Sequence, residues 1–343
     1  MIVVNDPGTW SAVYPQLLHA EWNGWTYADT IFPLFLFVTG VSLSLSFASR
    51  RAKGDSTGLL MRHAARRSLL LVALGLALNL CAFLAFHETR WRFPGVLQRI
   101  GLCAFAAGAI FLLAGARGTA WSAVALLLGY WGLLGSGPLD PEGNLAARVD
   151  RAVFGTHTWK PGFDPEGLLS TLPAIATTLL GVLAAERLRS GAPRRRRVLE
   201  LLAAGAAASV AGWAWGRVFP INKTLWTSSY ALLMSGLAAM ALAVCTALSD
   251  AATWKRVSAP LRWLGRNAIA AFTLSSVGAM ALIAIRIPGP GGRSRSLWSA
   301  IYRSVFDRFA DPRLGSLLFA LAYLALWTAV FGLLHRRRIF FKI

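Results

Sequence analysis

The sequence predicts an all-α protein: a polytopic transmembrane helix bundle of about nine full spans, with the remnant of one more at its start. Three observations carry this. Of 343 residues, 56% are hydrophobic and only 15% are charged, a balance unlike that of soluble globular domains. Nine apolar runs reach the ~20 residues that a helix needs to cross the hydrocarbon core. The 35 Lys and Arg residues gather in alternate connections between those runs. The whole chain, 1–343, therefore reads as a single transmembrane domain. The longest stretch that could lie outside the bilayer, about 137–167, is too short to bury a core of its own.

The elements follow in order. The opening MIVV reads as the last turn of a span whose earlier part is missing, and MIVVNDPG lacks the basic leader of a secretory signal. The first full run, 30–49, follows Asp29, and Pro33 is tolerated in its first turn. It ends at the basic connection 50–67. Runs 67–86, 95–114 and 119–136 come next, the last two separated only by a short connection holding Arg117. Beyond the 137–167 loop, 168–186 begins within FDPEGLLSTLPAI, and the basic connection 187–197 leads into 198–216. Run 227–248 starts inside FPINKTLWTSSY, 264–285 starts at LGRNAIAAF, and 314–334 precedes the tail HRRRIFFKI. Gly and Pro inside several runs are tolerated where neighbouring helices re-satisfy the backbone.

Charge sets the orientation. Twenty Lys/Arg fall in the connections on one side, six each in Arg50–Arg67 and Arg187–Arg197. Thirteen fall on the other side, six of them between Arg286 and Arg313, while eleven of the fifteen acids lie on that poorer side. The richer side is expected to be cytoplasmic, with the C-terminus there and the loop bearing His19 outside. The net charge of +20 follows this topology, so no nucleic-acid partner is expected. RRRR at 194–197 reads as a topology anchor, with a cytosolic phosphate site as the sharper alternative. Trp10, Trp159 and Trp226 near span ends read as interfacial belt residues. Cys81, Cys103 and Cys245 lie in apolar runs without ligand-like spacing and read as small buried side chains, with no metal site expected.

Ionisable groups at or inside spans are costly and hence functional candidates. Five clusters qualify: Asn5 with His19, Glu21, Asn23 and Asp29; Gln98 and Arg99 in PGVLQRIG; Asp164 and Glu166; Asn222, Lys223, Ser228, Ser229 and Tyr230; and Arg266 with Asn267. The first four are expected at the external end, where their convergence suggests an outward-facing polar cavity. Each has a plainer reading. Asp29 and Glu166 could only favour helix starts, Arg99 could pair with Glu88 or Asp29, and His19 could be interfacial. His63, His87, His157 and His335 read as solvated surface residues.

On these residues a family likeness appears. VNDPGTWSAVYPQLLHAEWNGWTYADTIFPLFLF, PGVLQRIGL, DPEGLLSTLPAI, PINKTLWTSSY and RRRIFFKI resemble, in order and over nearly the whole chain, bacterial relatives of the heparan-α-glucosaminide N-acetyltransferase family. The resemblance implies a bacterial inner-membrane enzyme moving an acetyl group from cytosolic acetyl-CoA to an amino sugar or glycan on the other face. It places the active-site histidine on His19 and an assisting asparagine on Asn5, and matches Asp29 to the aspartate of the family's A-D-hydrophobic-F-P stretch.

Thioester-to-amine transfer needs a neutral amine, an aligned carbonyl and oxyanion stabilisation. His19 would be the base or an acetyl carrier, Asn5 an oxyanion donor, and Asp29 or Glu21 the carboxylate that orients the ring. Substrate contacts are expected from Glu21, Trp22, Asn23, Gln98, Arg99, Asp164, Glu166, Asn222, Lys223, Trp226 and Ser229. Arg62, Arg66, Arg266 and Asn267 are expected near the inner mouth of a tunnel carrying the pantetheine arm. Membrane lipid is a further partner and a homodimer an option. A transporter or flippase of an amphipathic substrate, an O-acyltransferase of a cell-envelope glycan and a structural membrane subunit remain alternatives.

Overall fold

The computed structural model describes residues 1–160, 162–288 and 294–341. Arg293 and Lys342, both counted above for topology, lie outside the described residues. Of the described residues, 72% are helical. In order come α1 (Ile2–Asn5), α2 (Tyr27–Arg51), α3 (Thr57–Phe86), α4 (Val96–Gly135), α5 (Leu145–Phe154), α6 (Thr171–Arg189), α7 (Arg194–Trp215) and α8 (Ser228–Leu248). There follow α9 (Ala252–Val257), α10 (Ala259–Arg266), α11 (Ala268–Ala284), a hairpin of β1 (Arg286–Pro288) and β2 (Ser294–Ser296), α12 (Leu297–Ile301) and α13 (Pro312–Arg336). The strands pair antiparallel with Ile287 opposite Arg295.

Among the described residues, seven helices are long and apolar enough to cross a membrane, or eight if α10 and α11 are taken as one bent pair. This is a multi-pass membrane protein, but the nine expected spans are not reproduced helix for helix. Two places account for the difference. The runs 95–114 and 119–136 both appear, as two helical segments that meet at a kink at Gly115 and are counted once as α4; their 40 residues would extend about 60 Å if straight, twice the hydrocarbon core. It is not straight: Gly115 leaves helical geometry at φ 65°, ψ −169°, a conformation that only glycine adopts at low cost. Near one end of α4 the Gln98 amide donates to Phe93 O at 2.9 Å; near the other, Tyr130 Oη donates to Leu225 O at 2.5 Å. The second exception is 264–285, which is broken at Asn267, where α10 and α11 diverge by 85°.

Small residues set how closely the helices approach. A Cβ on Gly40 of α2 would fall 1.9 Å from Thr178 O of α6, and one on Gly181 would fall 2.0 Å from Phe37 O. These reciprocal contacts lock α2 to α6, the close backbone approach typical of membrane helix pairs. Gly205, Gly212 and Gly236 do the same for α7 and α8. The main core joins Phe32, Leu36, Leu71, Ile100, Leu179, Trp226 and Met234 from five of these helices and the turn before α8. Of the cysteines, Cys103 is buried as expected, whereas Cys81 and Cys245 lie on the outside of the bundle. There the surrounding solvent is lipid, so a small apolar side chain needs no protein cover.

Candidate active site

The loop before α2 and the loop before α8 build the site together. Gly24, at φ 97°, turns the first loop so that its N–H donates to Ile221 O at 2.7 Å. Next to it, Asn222 Nδ2 donates to Asn23 Oδ1 at 3.2 Å. The second loop is a tight turn: Leu225 N donates to Asn222 Oδ1 at 2.8 Å and Trp226 N to Lys223 O at 3.0 Å. It leaves Trp226 at φ 51°, a strained conformation for a bulky residue, and turns Lys223 toward the first loop.

There His19 Nδ1 lies 2.8 Å from Asp29 Oδ1. The carboxylate can only accept, so Nδ1 carries the hydrogen and Nε2 keeps the lone pair. Asp29 is fully buried, and its Oδ2 accepts from Ala20 N and Thr26 N, each at 3.0 Å. Asp29 thus closes the start of α2 and orients the ring at once; the two readings of this residue are not exclusive. Tyr230 Oη donates to Asp29 O at 2.6 Å from beneath. Lys223 Nζ stands 2.9 Å from His19 Nδ1 and 3.1 Å from Nε2, and 3.4 Å from Asp29 Oδ1. Burial pushes the Lys223 ammonium below the usual lysine range, against the opposing pull of Asp29 and Glu166. The His19 side chain remains 49% accessible, open to whatever enters.

What it faces is a cavity of about 880 Å³, of a size that holds a small-molecule substrate. Asn5, His19, Glu21, Trp22, Glu166 and Lys223 line it. Trp10, Arg92, Arg151, Trp159 and Lys160 line it too, and none of these was expected as a ligand contact. Arg92 holds the wall: its Nε and Nη2 donate to Asp164 at 2.8 and 2.6 Å, and Nη2 also contacts Glu166. Glu166 is therefore not a helix-start residue but half of an ion pair facing the cavity.

Other expected contacts lie away from it. Gln98 is buried and donates to Phe93 O at 2.9 Å. Arg99 pairs with neither Glu88 nor Asp29. It donates to Gly167 O and Ser170 Oγ and lies 5.2 Å over the Trp226 ring. Trp226 is buried, not interfacial, and donates to Thr177 Oγ1. Asp164, Asn222 and Ser229 are also buried and engaged by Arg92, the turn, and Phe219 O respectively. Asn23 binds Asn222 rather than lining the cavity. In each case backbone or scaffold partners take the polar atoms that the sequence offered to a ligand. Three histidines depart from a solvated role: His157 stacks on Phe93 at 4.1 Å with Nδ1 2.8 Å from Trp91 O, His335 lies half-buried near Trp263, and His63 is half-buried at a cavity wall.

A second cavity of about 350 Å³ shares Val96 with the first and is lined by Phe35, Arg67, Arg266, Asn267 and Phe341. A third, about 300 Å³, shares Arg67 with the second and adds Arg50, His63 and Arg66. Arg66 and Arg266 thus line this series, whereas Arg62 is exposed and lines none of the three. Arg67, counted in the sequence only as a topology charge, joins two cavities, and its Nε is buried without a partner. Asn267 accepts from Phe341 N at 2.9 Å.

Comparison with known proteins gives a consistent picture. The family described as "Heparan-alpha-glucosaminide N-acetyltransferase, catalytic" matches residues 9–218, a segment that includes His19 and Asp29 but neither Asn5 nor Lys223. The chain is 28% identical over 337 residues to the heparan-alpha-glucosaminide N-acetyltransferase of Homo sapiens, covering 78% of this chain and 49% of the human protein. It is 27% identical over 337 residues to the Mus musculus protein of that name, covering 78% and 50%. The chain spans about half the length of the curated relatives it matches.

Proposed function

Because the chain belongs to the heparan-α-glucosaminide N-acetyltransferase catalytic family, we propose that it is a membrane-embedded acetyltransferase moving an acetyl group from acetyl-CoA to the amine of a glucosamine-type sugar. The observation that carries this is the Asp29–His19 pair at the edge of the 880 Å³ cavity. A buried carboxylate fixes the tautomer, and Nε2 of the half-exposed ring is left as the base.

The acceptor amine attacks the thioester carbonyl while Nε2 removes its proton; the C–N bond forms, the C–S bond breaks and the thiolate departs. Asn5 lies in the same cavity lining, where its amide is suited to the developing oxyanion. Trp22 and Trp159 offer faces to a sugar ring, with Glu21 and Glu166 nearby for a cationic amine.

The three neighbouring cavities support a path for the donor. With the Lys/Arg-rich connections cytoplasmic, the third cavity opens inward and the first outward. The pantetheine arm would run past Val96 and Phe35, and its phosphates would meet Arg66, Arg67 and Arg266. The buried, unpartnered Arg67 Nε fits an anion arriving from outside the chain. On this reading the protein sits in the inner membrane with its C-terminus in the cytoplasm, as one transmembrane domain.

Purified protein in detergent, given labelled acetyl-CoA and glucosamine, tests the reading. Acetylglucosamine should form and should be lost in His19→Ala. Transfer undiminished in that variant would remove His19 from the chemistry. Ligand movement across proteoliposomes without acetyl product would replace the enzyme with a transporter.

A further inference from the structure

We propose that Lys223 is the acid of this transfer: its ammonium protonates the departing thiolate, and His19 then restores the proton. This rests on the acetyltransferase reading above and deepens it at the same site.

The contacts carry it. Lys223 Nζ lies within 3.1 Å of both imidazole nitrogens and 3.4 Å from Asp29 Oδ1. An ammonium and an imidazolium so close would repel, so the charged form of either disfavours that of the other. Beside one carboxylate, the pair therefore favours a single positive charge. When the ring gains a proton from the acceptor amine, the lysine is driven to release its own. Proton uptake and proton delivery are thereby coupled.

The step balances. As the C–N bond forms, the amine proton passes to His19 Nε2. As the C–S bond breaks, a Lys223 N–H proton passes to sulfur, giving the free thiol. The imidazolium then returns its proton to the Lys223 amine. A thiolate of ordinary basicity, pKa about 8.5, is a fitting acceptor for an ammonium whose affinity for its proton is weakened by burial.

The other charged groups around the pair are poorer acids. Asp29, on α2, accepts hydrogen bonds through both oxygens. Glu166, before α6, is tied to Arg92. Glu21, in the same loop as His19, and Glu142 line the same cavity. Arg92 and Arg151 are guanidinium groups, which do not give up a proton in proteins. Lys160 lies over the Trp159 ring at 5.0 Å.

The experiment compares kcat against pH for the full chain, Lys223→Arg and Lys223→Met, with acetyl-CoA and glucosamine. Arginine keeps the charge but cannot release the proton. Both variants should lose about 10²-fold or more in kcat, with Arg no better than Met. The alkaline limb of the parent profile should vanish in Lys223→Met. An Arg variant within threefold of the parent, or a Met variant that keeps the alkaline limb, overturns the proposal. Should the Met variant fail to fold, the Arg variant decides alone. His19→Ala keeps the two readings apart: if it is inactive while Lys223→Arg is fully active, only the role of Lys223 falls.

Discussion

Asp29→Asn separates orientation from architecture at the imidazole. Asp29 Oδ2 accepts two backbone N–H groups at 3.0 Å, and Oδ1 faces His19 Nδ1 at 2.8 Å. An asparagine keeps its oxygen on the two N–H groups and presents its NH₂ to the ring. Nδ1 must then accept, the hydrogen moves to Nε2, and the base nitrogen is lost. The same tautomer inversion in a serine-protease triad costs about 10⁴ in kcat. The expected loss here is about 10³–10⁴, or roughly 4–5.5 kcal/mol of barrier. Stability should fall less, by about 1–3 kcal/mol, because the charge assistance to His19 and Lys223 goes while the start of α2 stays closed. The assay is kcat for acetyl transfer beside intrinsic tryptophan melting of the detergent-purified variant. A folded Asp29→Asn protein within tenfold of the parent kcat would refute the reasoning.

Three further outcomes are expected. Arg67→Gln should raise the KM for acetyl-CoA about tenfold, the scale of one charge-assisted contact, while Arg62→Gln changes it less than about twofold; initial rates against donor concentration decide, and equal effects would remove the proposed donor path. Gly40→Ala places a methyl 1.9 Å from Thr178 O and should cost about 3 kcal/mol or more, seen as a lower melting temperature and poor yield; a melting temperature equal to the parent's would mean that α2 and α6 can separate freely. Burial pushes the Asp150 carboxyl in α5 up to about 6, above the ordinary ~3.9, so the folded state binds the extra proton between those values. Stability should therefore fall by about 3 kcal/mol as pH rises from 4 to 7 and level off above; Asp150→Asn should flatten that slope in a pH series of melting curves, and parallel curves would contradict it.

The bundle was legible because apolar runs of membrane length leave little choice of fold. Its departure came at Asn267, where one residue changes a helix's course inside a single apolar run; the kink at Gly115 falls between two runs that the sequence already separates. His19, Asp29 and Lys223 were legible because titratable groups at span ends are expensive, and the structure brings these three into contact. Gln98, Arg99, Asn222 and Ser229 passed the same test for a different reason: their polar atoms serve backbone carbonyls and turns. Sequence spacing cannot tell a polar group awaiting a ligand from one already satisfied inside the chain. Arg92 and Arg67 failed in the opposite direction. In a charge count they look like any other arginine between spans, and only packing places one in the cavity wall and the other between two cavities.

The stitch between Gly24 and Ile221 bears on biogenesis. His19 and Lys223 stand 204 positions apart in the chain, so a ribosome that has delivered α2 to α6 has made an imidazole with no ammonium opposite it. On the proposed reading, the paired imidazole and ammonium exist only once the loop before α8 has docked against the loop before α2.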